Sequence, residues 1–233
     1  MGKLIVIEGI DGSGKNTQSR LIKARLQKEN HALFITSFPQ YSETSSYFVR
    51  EYLSGNYGKT AESVSPKQAS LCYAMDRFHY FKTNPEVKEA LADPEVTLIA
   101  DRYTTSNILF QSAKAESVEE IYSLIDWICD IEYGTLEIPK PDLVLMPYLE
   151  FSKNLELLKA RNIAENAHKN NMSKDIHELD TEYLRRVHNA SQIVADRMGF
   201  KMIDCMDAQG ELRSVDDIHE EMYGEVMKLV LKR

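Results

Sequence analysis

The chain has 233 residues, 43% of them hydrophobic, which is enough for one compact α/β domain with a sizeable core. Its 36 acidic residues outnumber its 28 basic residues and give a net charge of −8, which disfavours a broad nucleic-acid-binding surface. The sequence has no apolar run of the roughly 20 residues that span a bilayer. Its first residues lack the basic and apolar pattern of a secretory leader, and its three cysteines lack metal-binding spacing. We therefore expect a cytoplasmic protein with reduced thiols that binds neither membranes nor nucleic acid.

The first predicted elements carry a phosphate-binding motif. An apolar strand at 3–8 leads into Gly9-Ile10-Asp11-Gly12-Ser13-Gly14-Lys15, with the spacing G-x-x-x-x-G-K, and a helix follows to about Glu29. Glycines let consecutive backbone N–H groups approach phosphate oxygens, the helix N-terminus favours the same anion, and Lys15 adds a positive charge. Asn16 stands where the motif normally has the Ser or Thr whose hydroxyl holds Mg²⁺. A glycine-rich turn without a ligand is the alternative interpretation.

The rest of the chain alternates between strands and helices. Strands are predicted at 31–37, 96–100, 143–146 and 200–204. Helices are predicted at 43–54, 66–82, 85–92, 105–113, 118–133, 152–165, 181–198 and 215–231. This alternation predicts an α/β fold, a doubly wound five-stranded parallel sheet flanked by helices. Ligands bind such sheets beyond the carboxyl ends of the strands, so the phosphate loop, Phe38-Pro39 and Asp101-Arg102 should meet at one edge.

Asp101 and Arg102 directly follow the third predicted strand. A carboxylate there can accept a hydrogen bond from metal-bound water or orient a cation, and an arginine can direct two N–H donors at phosphate oxygens. Phosphoryl transfer depends mainly on alignment and charge neutralisation, so this pair suits that reaction beside a phosphate loop. The alternative is a structural ion pair that caps the next helix.

Two predicted helices offer side chains for a flat base. Tyr73 and Arg77 are four residues apart and therefore share one helix face, where a ring could stack on a base and a guanidinium could hydrogen-bond it. The spacing alone favours a core tyrosine and a solvated arginine instead. Asn107 and Phe110 lie three residues apart on the helix after Arg102. They could contact a base edge or a sugar, and core packing explains Phe110 equally well.

The polar segment at 166–179 predicts a mobile lid. Lys169 and Lys174 lie within it, and Arg161 lies just before it. A cation that reaches the site only when a lid closes can stabilise a transferring phosphoryl group. A solvated surface loop explains the segment equally well.

Six segments of the chain occur in the order and spacing of one family: IEGIDGSGKNTQ at 7–18, SFPQY at 37–41, YLSGNYG at 52–58, SPKQASLCYAMDRF at 65–78, DRYTTSN at 101–107 and PKPDLVL at 139–145. With them the chain resembles the thymidylate (dTMP) kinases over almost its whole length. The resemblance implies a P-loop kinase fold, with a single domain over 1–233 and a lid at about 161–179. It implies transfer of the ATP γ-phosphoryl group to dTMP, with Mg²⁺, for dTTP synthesis. It also implies a homodimer.

The same resemblance assigns the site residues. ATP is assigned Gly9, Asp11, Gly12, Ser13, Gly14, Lys15, Asn16, Thr17, Arg161, Lys169 and Lys174. The nucleotide dTMP is assigned Asp11, Phe38, Pro39, Tyr41, Leu53, Tyr73, Arg77, Arg102, Asn107 and Phe110. Lys15, Arg102 and Asp11 are expected to be catalytic, with Arg102 between the two phosphates, and the metal is assigned Asp11, Asn16 and Asp101. Since the loop has Gly12 where some members have an arginine, the lid should supply the additional charge.

Some positions depart from the family pattern. They are Asn16 in place of Ser or Thr, Gln40 where many members have an arginine, Met146-Pro147-Tyr148 in place of Leu-Asp, and Ile176 where the lid often has an arginine. Lys15, Asp101 and Arg102 are retained, so activity is expected. Two alternatives stay open: another deoxynucleoside-monophosphate kinase, or a non-catalytic nucleotide-binding protein.

Overall fold

The computed structural model of the chain describes residues 1–166, 177 and 180–231, and the side chains of 162–166 lie outside that description. One sheet contains the strands β1 (Lys3–Ile7), β2 (Leu33–Ser37), β3 (Thr97–Asp101), β4 (Leu143–Tyr148) and β5 (Lys201–Asp204). Their order across the sheet is β2-β3-β1-β4-β5, and every adjacent pair is parallel. The predicted five-stranded parallel sheet is confirmed.

Helices flank the sheet and connect its strands. The α-helices are α1 (Lys15–Lys28), α2 (Tyr47–Leu53), α3 (Pro66–Thr83), α4 (Pro85–Ala92), α5 (Thr104–Ser112), α6 (Val118–Cys129), α7 (Phe151–Asn166), α8 (Thr181–Met198) and α9 (Val215–Val230). Short 3₁₀ turns lie at Thr44–Ser46 and Ala61–Ser63, and a π-helical turn lies at Asp130–Thr135. Among these described helices, none has both the length and the apolar character needed to cross a bilayer.

The core lies on both faces of the sheet because side chains along each strand alternate in direction. Ile5 and Ile7 of β1 belong to the cluster that packs under α1 and α9. Leu4 and Val6 belong to the larger cluster, which also contains residues of α5, α6 and α8. Each fully buried aliphatic side chain of this kind contributes about 1.5–3 kcal/mol of hydrophobic stabilisation. The sheet is therefore a rigid platform for the loops at its carboxyl edge.

The strand register brings the three predicted clusters together. Asp101 at the end of β3 pairs with both Ile7 of β1 and Ser37 of β2, so the three strands end at one level. Just beyond, the Arg102 N–H donates to the Ile7 carbonyl oxygen at 3.2 Å, and the Phe38 N–H donates to the Asp101 carbonyl oxygen at 3.0 Å. The phosphate loop, the cis Phe38-Pro39 peptide and Arg102 therefore leave the sheet side by side.

Two predicted helices have different forms in the structure. The helix predicted at 43–54 begins as a 3₁₀ turn and becomes α2 only at Tyr47, because the Ser46 hydroxyl donates to the Glu43 carbonyl oxygen and competes with the helix backbone. The helix predicted at 118–133 ends its α-helical part at Cys129 and continues as the π-helical turn.

Strand β4 is longer than predicted, since it continues through Pro147 to Tyr148. Its pairing with β1 ends at Leu145, so on that side no partner strand needs the N–H that Pro147 lacks.

Candidate active site

The phosphate loop connects β1 to α1 and packs tightly against α7. Gly12 has a φ of 86°, in the left-handed region, and a Cβ added there would lie 2.5 Å from the carbonyl oxygen of Asn154. The Asn154 side-chain amide also donates to the carbonyl oxygen of Asp11. Position 12 therefore has no room for a side chain, which fits a loop without its own arginine.

Lys15 is 6% exposed and is held between two side-chain oxygens. Its Nζ donates to Asp101 Oδ1 at 2.7 Å and to Asn16 Oδ1 at 2.9 Å. Burial lowers the pKa of Lys15, and the nearby Arg102 lowers it further, whereas Asp101 opposes the shift. The ammonium group thus stays where the loop meets the end of β3.

Arg102 has a backbone conformation that few residues other than glycine adopt. Its φ is 61°, and such strain, on the order of 1–3 kcal/mol, persists where the surrounding structure enforces it. The guanidinium donates from Nη2 to Asp11 Oδ1 at 2.6 Å, and its central carbon lies 5.4 Å from the centroid of the Phe110 ring. Burial alone would lower the pKa of Arg102, but Asp11 and the neighbouring carboxylates outweigh it and keep the side chain charged.

Asp11 is the carboxylate partner of Arg102. Burial would raise the pKa of Asp11, but Arg102 and then Lys15 outweigh this effect and hold the pKa below its usual value. Asp11 is therefore ionised near neutral pH and serves as a fixed anion between two cations, not as a proton acceptor with a pKa near 7.

Glu8 is a site residue that the sequence analysis missed. It is fully buried, and its carboxylate accepts hydrogen bonds from Gly9 N at 2.9 Å, Thr105 Oγ1 at 2.5 Å and Ser106 Oγ at 2.7 Å. It also lies 4.0 Å from Nη1 of Arg102. Glu8 thereby joins the phosphate loop to the start of α5 behind Arg102. A lone carboxylate that ends the apolar run of β1 was the signal that could have identified it.

A cavity of about 370 Å³, here named the strand-end cavity, opens beyond β1, β2 and β3. All the residues that the resemblance assigned to dTMP line it: Asp11, Phe38, Pro39, Tyr41, Leu53, Tyr73, Arg77, Arg102, Asn107 and Phe110. Gln40 does not line it, since its side-chain amide donates to Ser37 O at 2.7 Å and to Thr36 Oγ1 at 3.2 Å. The residues that the resemblance assigned to dTMP thus converge on one cavity.

The interpretation of Arg77 as a solvated side chain is wrong. Arg77 is 2% exposed, and it donates from Nε and Nη2 to the two carboxylate oxygens of Glu132 at 2.6 and 2.5 Å. Burial tends to lower the pKa of Arg77, but Glu132 raises it above the usual value. The helix spacing that suggested a shared face for Tyr73 and Arg77 is consistent with both lining the strand-end cavity.

Gln111 also lines the strand-end cavity, although the sequence analysis did not select it. The side chain is fully buried, and neither of its amide atoms has a hydrogen-bond partner within the described part of the chain. A buried amide without partners costs about 1–3 kcal/mol, so its retention in a cavity wall indicates a ligand-binding role. It follows Asn107 by one helical turn on α5, and this spacing could have identified it.

His177, within the predicted lid, contributes another wall of the strand-end cavity. Its ring stacks on Phe110 with centroids 5.5 Å apart, and its Nε2 lies 2.9 Å from the Tyr52 hydroxyl. Burial and then the neighbouring Lys114 lower the pKa of His177 to about 3, so the imidazole is neutral at physiological pH. Lys169, Lys174 and Ile176 lie outside the described residues.

A second cavity of about 330 Å³, here named the loop cavity, lies on the other side of the phosphate loop. Its polar wall includes Asp11, Gly12, Ser13, Gly14, Lys15, Asn16, Thr17 and Arg161, all predicted for ATP. Its apolar wall includes Leu149, Leu157, Cys205, Leu212, Val215 and Ile218, which were not predicted. Gly9 does not line this cavity, since its N–H is directed at Glu8.

The two cavities meet at one charged junction. Asp11, Lys15, Asn16 and Arg161 line both of them. Two cations and an ionised carboxylate therefore lie between the loop cavity, which has one apolar wall, and the strand-end cavity, which is lined by aromatic rings, arginines and amides. This arrangement can hold two ligands whose phosphates approach each other at the junction.

Comparisons with known proteins agree with this geometry. A family model described as thymidylate kinase matches residues 7–209. Human thymidylate kinase is 28% identical over 222 residues, covering 95% of this chain and 88% of its own length. A probable thymidylate kinase of Methanocaldococcus jannaschii is 31% identical over 220 residues, covering 94% of this chain and 93% of its own. The solved structure of Candida albicans thymidylate kinase supports the fold, with a TM-score of 0.65 and 20% identity over 97% of this chain and 92% of that one. The chain therefore belongs to the thymidylate kinase family.

Proposed function

We propose that the chain transfers the γ-phosphoryl group of ATP to dTMP, giving dTDP and ADP. Family membership makes it an ATP-dependent nucleoside-monophosphate kinase, as the sequence predicted. The observation that carries the assignment of sites is the junction of Asp11, Lys15, Asn16 and Arg161, which lines both cavities. In this proposal ATP occupies the loop cavity and dTMP occupies the strand-end cavity.

On the ATP side, the loop backbone and Lys15 bind the phosphates. Backbone N–H groups of the loop and the N-terminus of α1 suit an anion, and Lys15 begins that helix. The apolar wall of the loop cavity suits the adenine ring, and Arg161 lies where the outer phosphates would meet the acceptor. Lys169 and Lys174 are further candidates for lid cations.

On the dTMP side, the aromatic rings of Tyr73 and Phe110 suit stacking and sugar contacts. Arg77 offers donors to the base, and Asn107 offers an amide. We add Gln111 and His177 to this set, because both are buried and both line the strand-end cavity. The Phe110 ring in the cavity wall would disfavour a ribose 2′-hydroxyl and so favour a deoxynucleotide.

In the transfer step Arg102 provides most of the charge neutralisation. Its guanidinium lies beyond the end of β3, next to Lys15 and the loop, and Asp11 holds it in place at 2.6 Å. The phosphoryl group carries its charge on oxygens that a planar cation can contact from both nucleotides. Asp11 is ionised, so its role is to orient Arg102, whose remaining N–H donors then face the phosphates.

The oxygen donors at the junction fit Mg²⁺. Asp11 and Asn16 at the junction, with Asp101 beside them in the strand-end cavity, provide carboxylate and amide oxygens, which are the ligands that Mg²⁺ prefers. Among the described residues no group of three or more His, Cys, Asp or Glu could hold a metal alone, which suits an ion that is bound mainly by phosphates and water. When bound, Mg²⁺ neutralises phosphate charge; Asn16 replaces the usual hydroxyl among its neighbours.

We also propose a cytoplasmic homodimer. The cysteines Cys72, Cys129 and Cys205 are free, which suits a reducing compartment. Exposed apolar side chains on the adjoining helices α2 and α3 suit a second copy of the chain: Tyr47, Phe48, Leu71 and Met75. Sedimentation at micromolar concentration should give twice the monomer mass of 26.7 kDa.

The decisive experiment is an ADP-release assay with a panel of acceptors. ATP and Mg²⁺ are supplied with dTMP, dUMP, dCMP, dGMP or AMP, and kcat/KM is compared. We expect dTMP to give the highest value. A higher value for another acceptor would contradict the proposal, and binding of ATP and dTMP without turnover would indicate a non-catalytic nucleotide-binding protein.

A further inference from the structure

A carboxylate lies buried behind the wall of the strand-end cavity. Glu132 is 0% exposed and does not itself line the cavity. One of its oxygens, Oε2, accepts from Arg77 Nε at 2.6 Å and from Thr104 Oγ1 at 2.6 Å. The other, Oε1, accepts from Arg77 Nη2 at 2.5 Å and from Asn107 Nδ2 at 2.8 Å. Glu132 therefore contacts two residues of the cavity wall at once.

The π-helical turn Asp130–Thr135 presents this carboxylate. Within it the Leu136 N–H donates to the Ile131 carbonyl oxygen at 2.8 Å, five residues back, instead of four as in an α-helix. The wider turn changes the direction of the side chains that follow Cys129. Turns of this kind occur often at functional sites, and here the turn coincides with a fully buried charge.

Glu132 and Ser70 together fix the orientation of the Asn107 amide. The Asn107 Nδ2 lies 2.8 Å from Glu132 Oε1 and 3.2 Å from the Ser70 carbonyl oxygen. A carboxylate and a carbonyl oxygen only accept hydrogen bonds, so the amide must direct its NH₂ group at them. The Asn107 Oδ1 is buried without a partner among the described residues, and the side chain lines the cavity. Asn107 therefore offers an acceptor to a bound base.

Glu132 also fixes the plane of the Arg77 guanidinium. Nε and Nη2 donate to the carboxylate, so the donors on Nη1 remain on the other side of the same rigid plane. Arg77 lines the cavity beside Asn107. The wall thus offers a donor next to an acceptor, in a fixed order.

This order matches one class of pyrimidine edge. Thymine and uracil have an accepting O4 next to a donating N3–H, so Arg77 can donate to O4 while Asn107 accepts from N3. Cytosine has a donating amino group next to an accepting N3. Its amino group would therefore face the donating Arg77, and its N3 would face the accepting oxygen of Asn107. Buried polar groups left unpaired in this way give strong discrimination between ligands.

We propose that Glu132 is a positioning residue that sets base specificity, by orienting Asn107 and Arg77 for a 4-oxo pyrimidine with a protonated N3 and against cytosine. This inference rests on the proposed function, in which the strand-end cavity binds the base of dTMP. A buried ion pair that only stabilised the fold would affect all substrates equally. A positioning residue changes the ratio between substrates.

The test compares kcat/KM for dTMP and dCMP in the parent enzyme and in Glu132→Gln. The glutamine has almost the same shape, but its NH₂ group must face an arginine N–H, so the plane of the Arg77 guanidinium is no longer fixed and Asn107 is held by Ser70 alone. We expect the dTMP/dCMP ratio to fall at least tenfold, with most of the change in KM for dTMP. Ile128→Ala removes a buried side chain of the neighbouring helix α6 and serves as the control for general destabilisation, with its ratio unchanged.

Thermal melting establishes that each variant is folded at the assay temperature. If Glu132→Gln does not fold, Glu132→Asp keeps the charge but withdraws the carboxylate by one methylene, and its ratio should fall at least threefold. A ratio within threefold of the parent value in every folded Glu132 variant overturns the proposal for Glu132 alone. A parent enzyme that does not prefer dTMP over dCMP overturns the proposed function as well.

Discussion

The substitution Arg102→Ala tests the central claim about the transfer step. It removes a partly exposed guanidinium that is held by Asp11 Oδ1 at 2.6 Å and lies 4.0 Å from Glu8. The φ of 61° at this position is uncommon for alanine as for arginine, so the backbone strain stays similar in both proteins. The main change is the loss of the cation.

The size of the effect can be estimated from the donors of Arg102. A guanidinium has five N–H groups, and in the described residues one is directed at Asp11 and one, more weakly at 3.4 Å, at Ser106. The remaining donors can contact phosphate oxygens. Each hydrogen bond to a charged group contributes about 1.5–3 kcal/mol, so the loss of two such bonds in the transition state removes about 4 kcal/mol. That corresponds to roughly a 10³-fold lower kcat.

The assay is ADP release at saturating ATP and dTMP, with melting curves for both proteins. Arg197→Ala is the matched control, because it removes an exposed arginine whose Nη2 lies 3.3 Å from Asp126 on the surface. We expect kcat of the control to stay within twofold of the parent value. A kcat loss below tenfold in folded Arg102→Ala would refute the reasoning, since Arg102 could not then be the main cation of the transfer step.

Three further outcomes are expected. Gly12→Ala should lower stability by on the order of 1–3 kcal/mol in thermal melting, because its Cβ would lie 2.5 Å from the Asn154 carbonyl oxygen; an unchanged Tm would contradict this close packing. Gln111→Leu should raise KM for dTMP at least fivefold without lowering the Tm, because it removes a buried amide that has no partner in the described structure; an unchanged KM would remove Gln111 from the site. Since the pKa of His177 is about 3 in the folded state and 6.5 in a model peptide, the neutral ring contributes stability above pH 6.5 that is lost as the pH falls towards 3. The Tm of His177→Phe should therefore decrease less than the Tm of the parent protein between pH 7 and 4. Parallel plots of Tm against pH for the two proteins would show that this titration is not linked to folding.

Much of the fold could be predicted because its signals are local. The apolar run of β1, the glycine spacing after it and the alternation of elements are all readable without knowing any contact. The convergence of Phe38, Arg102 and the phosphate loop could also be predicted, because parallel strands end at a common edge of the sheet. The register, with Asp101 level with Ile7 and Ser37, made that convergence tight.

Other features depend on contacts between distant segments. The π-helical turn after Cys129 follows a regular amphipathic helix, and its Glu132 pairs with Arg77, 55 residues away in sequence, which no local pattern indicates. The same pairing buries Arg77, which helix spacing alone assigned to solvent. The position of Gln40, whose side-chain amide donates to the Ser37 carbonyl oxygen and to Thr36 Oγ1, likewise depends on contacts that residue types do not specify.

Two of the residues that were missed share a physical role. Glu8 and Glu132 are both fully buried, and each lies behind a cavity-lining arginine, Arg102 or Arg77. Motifs identify groups that contact ligands, because their chemistry matches the ligand. A buried carboxylate matches only its own partner, so no ligand-binding motif marks it: Glu132 resembles a surface glutamate in sequence, and Glu8 differs only in ending an apolar run. Yet an arginine in a buried wall needs such a partner to remain in one orientation, since an unpaired buried charge is strongly destabilising. A buried arginine predicted at a binding site should therefore prompt a search for its carboxylate, and substitution of that carboxylate is a more specific test of the site than substitution of the arginine itself.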